Sequence, residues 1–304
     1  TGMTSIAQEA APAPPRPRTR ARTWGHRPAL DGLRVVAVYL VVAYHGGLGI
    51  AEGGFLGVDL FFVLSGFLVT NVLLHEQATR HRIRLVRFYA RRVRRLLPAA
   101  AVTIALTAVA FTYVAPPAER GEVLGGARSA FLYVANWHFL GQSNDYFAAE
   151  DAPSPFLHFW SLAIEEQFYI AFPLVMIGLI ALARRAGRRP EVMVAGLASI
   201  GLLSLASQVV SARQSELRAY YATDARLFQL LAGATLAVLL WFWPHLRERW
   251  GGPKVTWLCL GGLLLCASSV WSPSASVRGI AATAIAVALL AALEAHREQG
   301  ASTV

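Results

Sequence analysis

Apolar runs long enough to cross a bilayer constrain this chain more than anything else in it. They fall at 33–50, 55–74, 98–115, 123–141, 160–183, 192–210, 226–243, 255–271 and 278–294. A bilayer core takes about 20 residues of apolar helix, and no strand alternation or internal repeat stands out beside these runs. Composition agrees, with 55% hydrophobic and 15% charged residues and a mean hydropathy of +0.45. Ordinary soluble domains carry about 25% charged residues. The expected fold class is therefore all-α, a polytopic transmembrane helix bundle of eight to nine apolar segments.

Arginine placement orients the bundle. Thr1 and Gly2 precede Met3 and read as a cloning remnant. Residues 1–29 are rich in Pro, Ala and Arg, lack an apolar run, and are expected to be a disordered cytoplasmic tail. The most basic segment, RHRIRLVRFYARRVRRLLP (80–98), belongs on the same side. If 98–115 and 123–141 both cross, RRAGRR (184–189) falls outside and the acidic stretch 141–156 inside. One crossing fewer repairs both. The segment 123–141 carries Arg128, Asn136, Trp137 and His138. It is therefore expected to be re-entrant or to lie in protein-lined interior, where polar chain is tolerated at membrane depth. That leaves eight crossings, a membrane domain over 30–296 and a cytoplasmic tail over 297–304. The net charge of +10 then reflects topology, and no nucleic-acid partner is expected. Cys259 and Cys266 have no partners at metal-ligand spacing, and roughly 10 Å of helix separates them, so neither a metal nor a disulfide is expected.

Ionisable residues inside apolar runs are candidate functional groups. In DGLRVVAVYLVVAYHGG (31–47), Arg34 and His45 are eleven residues apart. That spacing puts both on one helix face, roughly 16 Å apart along the axis. Arg34 alone reads equally as an interface anchor, and His45 alone as a buried core histidine. Asp59, in the first turn of the next run, lies near the level of His45. It reads either as the carboxylate that orients that imidazole or as an interfacial Asp at a helix start. Arg91, Arg92 and Arg95 are placed to clamp a polyanion or to serve topology alone. In HFWSLAIEEQFYIAFP (158–173), Glu165 and Glu166 point roughly 100° apart on a helix, so they need different partners. Trp160 and Tyr169 fit an aromatic belt, and Asp224 and Arg226 a routine helix start.

Taken in order, LDGLR with Arg-x10-His, GVDLFFVLSGF, RRVRRLLP, HFWSLAIEEQFY and YYATDARLFQLLAG resemble the acyltransferase-3 family of integral membrane acyltransferases. The resemblance implies transfer of an acyl group, commonly acetyl, from acyl-CoA to a hydroxyl of a sugar, glycolipid, polysaccharide or glycosylated small molecule. It implies His45 as catalytic base, with Asp59 and Glu165 as acidic partners. It implies Arg34, Arg91, Arg92 and Arg95 as the donor's phosphate ligands, and Trp160, Glu166, Tyr169 and Arg226 as acceptor-site residues. No metal is implied. The expected partners are acyl-CoA (acetyl-CoA foremost), a carbohydrate acceptor and membrane lipids. The expected location is a bacterial plasma membrane, with the N-terminus cytoplasmic. The family continues through about two further helices that this sequence lacks, so the domain is expected to be C-terminally truncated. A transporter of an anionic metabolite and an inactive truncated scaffold are the competing readings.

Overall fold

The computed structural model describes residues 27–116, 120–142, 154–246 and 253–302, with side chains described through Ala295. Residues 1–26, expected as a tail, residues 117–119, most of the acidic stretch 141–156 and residues 247–252 lie outside the described residues. In chain order the helices are α1 (Pro28–His45), α2 (Gly57–Arg80), α3 (Leu85–Val114), α4 (Arg120–Phe131), α5 (Ala135–Gly141) and α6 (Phe159–Arg185). They continue as α7 (Glu191–Gln214), α8 (Glu216–Tyr221), α9 (Thr223–Phe242), α10 (Pro253–Ala267) and α11 (Ala275–Ser302). Two short 3-10 turns join α1 to α2. Among the described residues there is no strand. Among the described residues, seven helices are long and apolar enough to span a membrane: α1, α2, α3, α6, α7, α9 and α11. The chain is a polytopic helical membrane bundle, and α10, with 15 described residues, is its shorter apolar helix.

Local chemistry moves several boundaries from their expected places. Pro28, at the first helical position, starts α1 ahead of the expected 33. The Gly46–Gly47 pair, with Gly47 at φ 68°, ends it at His45. The basic stretch before Pro98 is the first part of α3 rather than a loop, because the helix runs on through that proline. α11 runs to Ser302, so the backbone of 297–302, expected as a tail, is helical.

Contacts between helices fix their directions. Phe62 meets Trp160, and Ser65 meets Glu165, so α2 and α6 run in parallel. The Tyr89 hydroxyl donates to Ile170 O, and Arg92 meets Glu166, so α3 and α6 are antiparallel. The end of α3 and the start of α6 therefore lie at one end of the bundle. The chain between them enters and leaves on that side, and α4 and α5 make no crossing. The break between them, at Tyr133 with φ 55°, is held by a buried amide network. Asn136 Nδ2 donates to Tyr221 O at 3.0 Å and to Thr223 Oγ1 at 2.9 Å. Gln167 Nε2 donates to Tyr133 O and Asn136 Oδ1, and Thr223 Oγ1 donates to Gln167 Oε1. Protein groups thus satisfy an irregular backbone at membrane depth, as such a segment requires. The polar residues that made 123–141 an unconvincing span include the anchor of this network.

The core is built on close helix approach. A Cβ on Gly66 of α2 would overlap the Leu230 carbonyl of α9, and one on Gly233 would overlap the Val63 carbonyl. Gly54 and Gly57 meet the Leu40 and Ala37 carbonyls of α1 in the same way. Small residues permit such approach in membranes, where packing replaces the hydrophobic drive between helices. Replacing Gly66 or Gly233 by Ala should cost about 1–3 kcal/mol of stability, as overpacking typically does. Thermal unfolding in detergent would show this as a lower midpoint, whereas Gly32→Ala, which meets open space, should leave it unchanged.

Candidate active site

A cavity of about 760 Å³ opens among α1, α2, α3 and α6. Its α2 wall is Phe61, Ser65, Leu68, Val69 and Val72, one helical stripe about 16 Å long. Its α3 wall is Phe88, Arg91, Arg92, Arg95 and Leu96, again a single stripe. α1 contributes Arg34, with Arg27 just ahead of it, so five guanidinium groups line one cavity. The four arginines selected from sequence are brought together. Their level differs from expectation, because Ala37 and Leu40 of α1 meet Gly57 and Gly54 at the start of α2, which sets Arg34 about one turn further along α2. α1 starts partway along α2, so Arg34 marks the deep end of the cavity rather than its mouth.

The acidic residues of α6 belong to this cavity. Glu165 lines it and accepts hydrogen bonds from the Ser65 and Tyr169 hydroxyls. The Arg92 guanidinium lies 3.0 Å above the Tyr169 ring centre and 3.9 Å from Glu166 Oε1. Arg91 approaches Glu76 at 4.0 Å, and Arg34 pairs with Asp31 at 3.0 Å. Glu165 was expected beside His45; it sits instead among the arginines. Tyr169 and Glu166, expected at the acceptor, surround Arg92.

His45 closes α1 at the opposite, exposed end. Its Nδ1 lies 2.8 Å from Val41 O. A carbonyl oxygen only accepts, so Nδ1 carries the proton and Nε2 of the neutral ring is the basic nitrogen. The aromatic neighbours are Tyr44, at 5.1 Å between ring centres, and His158, at 4.6 Å, both edge to face. His158 stands just before α6. Burial first, and then repulsion from His45 were both rings to protonate, hold it below the ordinary histidine range. Burial does the same to His138 in α5.

Asp59 is not the partner of His45. Its carboxylate, 1% exposed, accepts from Arg226 Nη2 at 2.6 Å and from Gln229 Nε2. The Arg226 guanidinium lies 5.2 Å from the Tyr220 ring centre, 5.7 Å from Trp160 and 5.8 Å from Phe62. Trp160 and Arg226 were expected at the acceptor, but both are wholly interior, packed about this ion pair. Sequence reasoning missed His158 and Gln229. Both lie inside quoted motifs, two residues before Trp160 and three after Arg226. Among the described residues, no cluster of three or more His, Cys, Asp or Glu could hold a metal.

The model of the acyltransferase domain matches residues 27–301, nearly the whole sequence. The chain belongs to the acyltransferase-3 family. It is similar to the peptidoglycan O-acetyltransferase OatA of Listeria monocytogenes, 38% identical over 232 residues, covering 76% of this chain and 36% of that one. It is also similar to the O-acetyltransferase OatA of Staphylococcus aureus, 39% identical over 217 residues, covering 71% and 35%. The chain thus spans about a third of the length of these curated relatives. No solved structure matches it.

Removing either member of the Asp59–Arg226 pair strands a buried charge, which typically costs about 3–5 kcal/mol. Asp59→Leu and Arg226→Leu should each abolish folded protein on size-exclusion in detergent, and the double variant should recover part of it. The two depressed histidines give a separate pH signature. The unfolded chain takes up their protons first, near pH ~6.5. Their contribution is therefore complete above that pH and is lost as the pH falls toward the depressed values. The unfolding midpoint should fall on acidification, and less steeply in His138→Asn.

Proposed function

We propose that this chain moves an acyl group, acetyl in the simplest case, from acyl-CoA at the arginine-lined cavity to a carbohydrate hydroxyl presented at His45. The observation that carries this reading is the placement of Arg34 and His45. One helix holds an arginine in a polycationic cavity and, roughly 16 Å further along, a histidine at an exposed end. An acyl-CoA is shaped for that layout, with phosphates at one end and a thioester at the end of a long arm. The name of the Listeria relative points to peptidoglycan, a cell-wall glycan, as acceptor. The protein would sit in the plasma membrane with its arginine-rich end and N-terminus cytoplasmic, following the positive-inside rule.

In this mechanism Arg34, Arg91, Arg92 and Arg95 hold the phosphates by charge-assisted hydrogen bonds. His45 Nε2 takes the acceptor's hydroxyl proton as that oxygen attacks the thioester carbonyl. The new C–O bond forms, the C–S bond breaks, and the proton passes from His45 to the departing thiolate. Glu165 acts within the cavity, ordering Ser65 and Tyr169 against Arg92. Asp59, Trp160 and Arg226 hold the helices that carry these groups.

The test is transfer of labelled acetyl from acetyl-CoA to oligosaccharide by protein in lipid nanodiscs. His45→Ala should lower kcat by about 10²–10⁴-fold, the usual weight of a general base, with acetyl-CoA binding intact. Arg92→Ala with Arg95→Ala should instead raise the KM for acetyl-CoA. Equal turnover by wild type and His45→Ala would overturn the assignment. Acetyl-CoA uptake across the membrane without transfer would favour a transporter.

A further inference from the structure

A second, apolar groove of about 440 Å³ lies on the outer face of the bundle, where α4 crosses α3. Three small residues on the facing helices, Ala101, Ala105 and Ala127, leave the space, and Ile104, Phe131 and Leu132 complete its walls. The remaining lining residue is Arg128. Its side chain is exposed, and among the described residues its guanidinium makes no hydrogen bond or ion pair. Ala101 and Ala105 lie near the middle of α3, a helix of 30 residues, so the groove is at membrane depth. A lone cation there is expensive and needs an anion or a path to the interface. Helical side chains lean toward the start of their helix, which for Arg128 is the end of the bundle where α3 finishes. A guanidinium leaning that way above an apolar slot matches a phosphate head with its chains below.

We propose that this groove binds one anionic membrane phospholipid, its phosphodiester on Arg128 and an acyl chain along Ala101, Ile104 and Ala105. The site is separate from the arginine-lined cavity and stands whether or not the transfer reaction above is correct. The lipid would brace α4, whose far end enters the Asn136–Gln167 network, so its binding should stiffen the re-entrant segment.

The experiment is native mass spectrometry of the protein released from nanodiscs of equal phosphatidylglycerol and phosphatidylcholine. Wild type should retain phosphatidylglycerol preferentially, and Arg128→Gln should lower that preference roughly fivefold, the weight of one arginine beside an anionic lipid. Arg120→Gln, the same charge change outside the groove, should leave it unaltered. Ala105→Trp, which fills the groove and keeps the charge, should expel the lipid and guards against a misfolded Arg128 variant. Equal retention of both lipids by wild type, or unchanged retention by Arg128→Gln and Ala105→Trp, would overturn the proposal. Displacement of the lipid by inorganic phosphate would also overturn it, because the groove would then contribute nothing.

Discussion

The buried ion pair of Asp59 and Arg226 is the interaction on which the rest of the bundle depends. Both charges are out of solvent, where an unpaired one would be prohibitive. Satisfying them fixes the register of α2 against α9, because Gln229 on the next turn shares the same carboxylate oxygen. Trp160 of α6 and Tyr220 of α8 close over the guanidinium, and a Cβ added at Gly279 of α11 would lie 3.3 Å from Asp59 Oδ1. Five helices therefore converge on one polar contact. Gly66 and Gly233 then let α2 and α9 continue together below it. Through Gly54 and Gly57 the same register reaches α1, and so sets the height of both Arg34 and His45.

The cavity applies the opposite logic. Apart from Arg27, which pairs closely with Glu294 of α11, its cations are not locked into short, complete pairs: Arg91–Glu76 and Arg92–Glu166 lie at 4.0 and 3.9 Å, near the limit of an ion pair. Arg34–Asp31 is shorter but sits on partly exposed side chains. Such pairs offset the cost of placing arginines in a membrane protein while adding little to stability. They also leave the guanidinium groups able to exchange a carboxylate for a better anion, which a phosphate with more acceptor oxygens is. A tightly bonded site like that of Arg226 could not do this. The two kinds of arginine differ less in sequence than in their surroundings.

That difference explains what the sequence could and could not convey. Hydropathy located the spanning helices, and charge placement located the segment that does not span, because both follow from local composition. Helical periodicity put Arg92 and Arg95 on neighbouring faces, since 3.6 residues per turn needs no tertiary information. Pairing was another matter. Asp59 lay near His45 in helical level, and a carboxylate beside an imidazole is a familiar arrangement. The register of α2 against α9 decides instead, and it depends on Gly66 and Gly233, residues 167 positions apart. Glu165 was placed too near His45 for a related reason. Its depth follows from how far α6 slides along α2, which no window of sequence records.

The corrected surroundings of His45 change what its chemistry demands. A carboxylate on Nδ1 would have made Nε2 more basic through a full negative charge. The Val41 carbonyl on Nδ1 instead supplies a dipole that sets the tautomer. In the proposed mechanism the acceptor hydroxyl and the thioester must be held in contact at that imidazole, because positioning supplies much of the rate. The rigid helix between Arg34 and His45 meets that need directly. An acyl donor anchored, as proposed, by its phosphates at Arg34 would have its reactive end confined to an arc set by the length of its arm. For that arc to pass His45, the glycine contacts to α2 must hold α1 at its observed height.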